Sequence, residues 1–191
     1  MSRTRTLLLS LALSAGTFAG TYAAVRPLVV QEPEMPEVTE HHKRVLAGAG
    51  EWEGTITMFM PGMDPMTSPA AETVTALGDY WTTSNFTSDM GGMAFKGHST
   101  MGYDTEKKQY VGTWIDSTAT YLTVTHGEFD AAKNALVMHW KGPNYMGQNE
   151  LIDFRSETVS RADVSVSTFY MGEGAGTKHM EIKMKRKAAA K

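Results

Sequence analysis

Four methionines fall within nine residues at MFMPGMDPM, residues 58–66, in a 191-residue chain that has 14 Met and no Cys. Thioether sulfur is a soft donor suited to Cu(I), so Met58, Met60, Met63 and Met66, joined by His98, form a candidate copper-binding set. Met is equally a flexible filler of apolar cavities and their mouths. The element carrying the stretch decides between these roles, because sulfurs divided between a strand and a turn converge only if the turn folds back.

Titratable side chains offer other chemistry. His41 and His42 are adjacent on a short predicted helix and cannot both face one point. His98 and His126 can share a wall of a sheet, where imidazole ligates a metal or haem. His179 precedes Met180, so a period of two sends them to opposite faces. Asp116 shares a face with Trp114, and such a carboxylate either finds a hydrogen-bond partner, as at a turn end in WIDST, or faces water in a cavity. Asp116 with His126 is the pair that a hydrolase-like polar site would need. The chain has no Cys nucleophile, no G-x-S-x-G elbow, no H-E-x-x-H and no phosphate-cradling glycine loop. MGEGAGTK reads as a hairpin turn, and the sequon Asn85-Phe86-Thr87 has meaning only in a eukaryotic secretory pathway. No catalytic residue is assigned, and no cofactor is expected outside the copper alternative.

The elements that must position these residues are strands. β-Branched and aromatic runs bounded by Gly, Pro, Asn and Asp predict strands near 51–60, 70–77, 80–89, 94–103, 109–117, 120–129, 135–142, 150–160, 163–170 and 177–187. Thr39 can cap one short helix from His41 to about Ala47. The separators GYDTEKKQ, EFDAAKNA, SRAD and GEGAG are short turns, so neighbouring strands pair as antiparallel hairpins. Closure into an up-and-down barrel removes the two exposed edges, with a sandwich as the alternative. The expected fold is all-β: about ten antiparallel strands after a short N-terminal helix.

Ahead of the barrel, Arg3 and Arg5 precede an apolar run from Leu7 to about Phe18 and then small residues, the order of a secretory signal peptide. Residues 1–23 read as that leader or as an uncleaved anchor, residues 24–38 as a Pro- and Glu-rich linker, and residues 39–191 as one barrel domain. The folded part is therefore expected in the periplasm or outside the cell, touching a membrane only through an uncleaved leader. A cysteine-free exported fold relies on its core alone. Losing the leader takes two arginines and no acid, so the net charge of −3 becomes −5. That balance gives no attraction for nucleic acid.

A ten-stranded barrel is wide enough to keep a cavity. Alternation places Trp52, Ile56, Met58 and Met60 inside, with Met180, Ile182 and Met184 of the last strand. Further inward sets are Trp81, Thr83 and Asn85; Phe95, Ser99, Met101 and Tyr103; Tyr110, Trp114 and Asp116; Leu136, Met138 and Trp140; Val164, Val166 and Tyr170. A small apolar or amphipathic ligand would meet Met58, Trp81, Trp114, Asp116, Tyr121 and Trp140.

Gly50-Glu51-Trp52, after a short helix and at the start of the first strand, resembles the G-x-W signature of the calycin superfamily, which includes the lipocalins. That resemblance implies Trp52 at the barrel base, covered by Arg186 through a cation–π contact. The longer pattern GEWEG, MPGMDP, MGGMAFKGHSTMGYDTEKKQYVGTWIDS, GEFD and MEIKMKRK is similar to the bacterial family catalogued as domain of unknown function 1579, over roughly Gly50 to Lys187. GYD…YVGTWIDS is its most specific part. LGDYW stands where that family has a more glycine-rich turn, and methionine is heavier here. The resemblance implies a calycin-like barrel and carries no activity over to named residues.

Overall fold

The computed structural model describes residues 35–144 and 148–188. The leader and most of the linker expected from the sequence lie outside them. One helix, α1 (Glu40–Leu46), precedes ten strands: β1 (Gly50–Met58), β2 (Met66–Leu77), β3 (Trp81–Met90), β4 (Met93–Asp104), β5 (Gln109–Asp116), β6 (Thr123–Asp130), β7 (Ala135–Asn144), β8 (Gln148–Arg161), β9 (Val164–Met171) and β10 (Thr177–Arg186). Each strand pairs antiparallel with the next, and β1 pairs with β10 to close the barrel. No described helix is long and apolar enough to cross a membrane.

Two hairpins show how local chemistry sets the strand ends. Asp104 Oδ1 accepts from the backbone N–H groups of Glu106 and Lys107, and Asp130 Oδ1 accepts from those of Ala132 and Lys133. The same Asx turn thus ends β4 and β6, and Lys108 and Asn134 complete the two turns at positive φ.

The register carries one face around the barrel. Trp52 lies opposite Glu72, Glu72 opposite Phe86, Phe86 opposite Gly97, and Gly97 opposite Asp116. Because paired residues share a face, all of these point inward with Trp52. One core cluster gathers Trp52, Ile56, Ala70, Phe86, Phe95 and Met184. A second gathers Val45, Tyr110 and Met138 at the end under α1.

α1 closes that end. Thr39 precedes it, and the Thr39 N–H donates to His42 Nδ1 at 3.0 Å, so His42 is left to donate from Nε2 to the Tyr103 carbonyl at 3.2 Å. His41 stacks on Tyr103 with ring centroids 4.0 Å apart, and the Tyr110 hydroxyl takes a bond from Arg44 at 2.9 Å. Burial first, then the Arg44 charge, pushes the His41 imidazole below its ordinary pKa. The adjacent histidines thus both hold Tyr103, His41 through its ring and His42 through its carbonyl.

Three alternations differ from the sequence reading. Trp81, Thr83 and Asn85 face outward, since Thr82, Ser84 and Phe86 hold the inner phase of β3. Val164, Val166 and Tyr170 also face outward, because Ser165 opposite Met184 and Ser167 opposite Ile182 take the inner phase of β9. A bulge in β10 between Lys178 and Met180 breaks the period of two at His179. Its imidazole turns inward, edge-on to Phe154 and Phe169 at 5.6 and 6.4 Å between ring centroids.

Candidate functional site: the barrel lumen

The hairpins β1–β2, β3–β4, β5–β6 and β9–β10 surround the end opposite α1. Methionine concentrates there. Met58 is paired with Met66 on one side and with Met180 on the other, so three thioethers share one inner-face row across β2, β1 and β10. Met90 pairs with Met93 at the next hairpin, and Met171 ends β9. The opening stretch is thus divided: Met58 and Met66 line the mouth, whereas Met60 and Met63 sit on an exposed turn beyond the end of β1.

His98 cannot join that set. It lies on the outer wall, paired with Asn85, and its Nδ1 is 3.0 Å from Asn85 Oδ1. His126 is also outside, opposite His139, so it stands on the other face of the sheet from Asp116. The pair required by a hydrolase-like site is therefore not assembled. Among the described residues no three His, Asp or Glu side chains gather to hold a metal ion.

Below the mouth, Trp114 projects into the lumen. Its ring occupies the space in which any side chain on Gly97 would begin: an ideal Cβ there would be 2.2 Å from the ring. Trp114 stacks with Phe95 at 6.3 Å and meets Phe86 edge-on at 6.1 Å. Its Nε1 donates to Asp116 Oδ2 at 2.9 Å, and Asp116 Oδ1 accepts from the Thr118 N–H and hydroxyl. Partial burial acts to raise the Asp116 carboxyl, but the bonds from Thr118 and Trp114 outweigh it and hold the pKa below the usual range. Asp116 is an ionised, turn-ending carboxylate that orients the indole.

Across the lumen, Trp140 stacks on Phe154 at 5.5 Å and meets Phe169 edge-on at 6.2 Å. Tyr121 lies half-buried in the β5–β6 connection. Trp81 is on the outer wall, its ring covering Gly102, so it does not line the lumen. Hydroxyl pairs supply the polar part of the inner wall, with Ser84 and Ser99 at 2.8 Å and Thr158 and Ser167 at 2.9 Å.

Two lumenal groups escaped the sequence reading. Glu72 stands on the inner face between Trp52 and Phe86. Burial pushes its carboxyl above the ordinary value, and a hydrogen bond with Ser84 opposes that only in part. The signal was present in MTSPAAETVTAL, where Ala70, Val74 and Ala76 share the phase of Glu72. The second is His179, whose buried Nδ1 has no hydrogen-bond partner and whose pKa is pushed down by burial. No residue pattern in TKHMEI announces the bulge that turns it.

At the base, the Arg186 guanidinium lies 4.3 Å from the centre of the Trp52 ring. It donates to the carbonyls of Ala47, Ala49 and Ala162, while Trp52 Nε1 donates to the Gly48 carbonyl. The α1–β1 connection is thereby tied to the end of the last strand.

This is a closed ten-stranded barrel, plugged at one end by a helix and bordered at the other by methionine-bearing loops. The chain belongs to the family described as protein of unknown function (DUF1579), whose model matches residues 37–186. No curated protein matches it. Among solved structures it is similar to Rv2717c from M. tuberculosis, with a TM-score of 0.59 and 8% identity, over 80% of this chain and 100% of that one. It is also similar to the S-type phycobiliprotein lyase CPES from Guillardia theta, with a TM-score of 0.54 and 8% identity, over 78% of this chain and 93% of that one. At such identities the likeness is one of fold.

Proposed function

We propose that the protein is an exported calycin-like barrel that binds one small apolar or amphipathic molecule in its lumen, without catalysis. One observation carries this reading: the inner wall of aromatic, methionine and hydroxyl side chains includes two titratable groups, Glu72 and His179, that no ion pair satisfies among the described residues. A fold with no need for a ligand gains nothing from burying such groups. Trp114, Asp116, Trp140, Tyr121 and Met58 remain the proposed lining, with Glu72 and His179 added and Trp81 removed. The leader-like residues 1–23 support a periplasmic or secreted location. Native mass spectrometry of the mature protein, taken from its host's extracytoplasmic fraction without metal-affinity steps, tests the reading. An organic mass that leaves on denaturation supports it, whereas a bare protein mass that no apolar probe shifts speaks against it.

A soft-metal reading has its own observation, the inner-face row Met66–Met58–Met180 with His179 beside it. Stoichiometric Cu(I) binding that disappears in Met58→Leu/Met66→Leu would establish it. Retention of affinity in that variant would exclude the row as the site.

A further inference from the structure

The fixed charges along the lumen are mostly acidic. Among the described residues, the inner faces of the strands carry Glu72 and Asp116 and no lysine, and Glu150 adds an exposed acid at the mouth within 3.4 Å of Asn144. The inward-turned His179 packs edge-on to Phe154 and Phe169 of β8 and β9, and burial favours its uncharged form. The one inner-face arginine, Arg186, is committed to the base: Trp52 stands between it and Glu72 in the row, and its donors go to backbone carbonyls. Arg44 reaches in from α1 but is held by the Tyr110 hydroxyl and the Phe129 ring, 3.7 Å away. Asp116 is satisfied by Thr118 and Trp114, so Glu72 is the carboxyl whose counter-charge is missing.

What surrounds Glu72 fits a cation. Trp52 and Phe86 flank it directly, Phe86 leads to the Phe95–Trp114 stack, and ring faces attract ammonium groups that have lost water. Ser84 holds the carboxyl, and Ser99 in turn bonds Ser84. Towards the methionine mouth the wall above Glu72 carries Ile56, Ala70 and Phe95 together with the hydroxyls of Ser68 and Ser88.

We propose that the lumen selects a guest carrying a protonated amine, its nitrogen on Glu72 and its apolar body directed along Trp114 and Met58 towards the mouth. The inference rests on the lumen-binding reading above and specifies the charge of the guest. The amine supplies the positive partner that the fold withholds.

Three probes of one chain length separate the possibilities: decylamine, decan-1-ol and decanoate, each below its micellar concentration at pH 7.5, titrated into the mature protein and followed by tryptophan emission. Decylamine is expected to bind at least about tenfold more tightly than decan-1-ol, with decanoate weakest. Glu72→Gln, which keeps the shape and the Ser84 contact, should reduce decylamine to the level of decan-1-ol and leave decan-1-ol unchanged. Glu53→Gln, on the outer wall, should alter none of the three. Equal binding of amine and alcohol by the native protein, or an amine preference that survives Glu72→Gln, overturns the inference while lumen binding stands. Failure of all three probes to bind overturns lumen binding as well.

Discussion

Replacing Arg186 by Met keeps the aliphatic stem and removes the guanidinium that ties β10 to the α1–β1 connection. Two kinds of contact are lost. The ring contact with Trp52 at 4.3 Å is worth about 0.5–2 kcal/mol. The bonds to Ala47 at 2.8 Å, Ala49 and Ala162 at 3.2 Å are charge-assisted, but water can replace them at the exposed carbonyls, so about 2 kcal/mol is a fair total. Together the substitution should cost about 3 kcal/mol, a large fraction of the roughly 5–15 kcal/mol of a typical domain. For a barrel of this size that lowers Tm by about 6–12 °C. Guanidinium unfolding with linear extrapolation, alongside calorimetry, measures it. Arg186→Lys, which has charge but no planar fork, should fall between the two. Gly50 provides a cross-check: it has φ 141°, and a Cβ there would fall on the guanidinium. Gly50→Ala should therefore be less harmful in the Arg186→Met background than alone. A loss below about 0.5 kcal/mol in Arg186→Met, or Arg186→Lys equal to native, would refute the latch.

Three further outcomes follow from the inner wall. Gly97→Ala places a methyl inside the Trp114 ring position and should destabilise by about 1–3 kcal/mol, with a red-shifted tryptophan emission as the indole is expelled; unchanged emission would show that Gly97 only accommodates the backbone. Tyr110→Phe removes the hydroxyl shared by Arg44 and His41 and should cost about 1–2 kcal/mol by urea unfolding. The two lumenal titrations act in opposite directions. The Glu72 carboxyl is raised in the folded state, so its contribution is present below the ordinary carboxyl value of 4.5 and is lost as pH rises through the folded pKa. The His179 imidazole is lowered, so its contribution is present above the ordinary imidazole value of 6.5 and is lost as pH falls through the folded pKa. Glu72→Gln should flatten the alkaline-side loss and His179→Phe the acid-side loss, in a pH series of denaturant midpoints; profiles unchanged by either substitution would mean that neither group is buried as described.

Hairpin chemistry and strand count were legible because Asp, Asn and Gly mark the turns whatever the strands between them bury. Inner phase was legible where large apolar residues alternate with charges, as in β1 and β10. It failed in β3 and β9 for one reason. There the inner wall uses Ser and Thr, as in the pairs Thr158–Ser167 and Ser160–Ser165, so the bulkier Trp81, Val164 and Val166 pointed to the wrong face. His179 was hidden by a bulge, a register event between two strands that no single strand encodes. Glu72 was hidden by its type, since a charge in a strand is ordinarily read as the outward phase. The residues that carry the proposed chemistry are thus the ones that break the rule by which the fold was read.

Closure of the sheet has a consequence for how the chain folds. Every strand pairing but one joins neighbours in sequence; β1 and β10 must find each other across almost the whole domain. Bringing such distant segments together costs about 4 kcal/mol in loop entropy, which favours a late step after the hairpins have zipped. Until then the sheet is an open ribbon with two unpaired edges, each able to recruit another chain. Contacts made only across that seam, with Trp52 under Arg186 foremost, set how briefly the ribbon stays open, and so help to decide whether a newly made chain becomes a barrel or an aggregate.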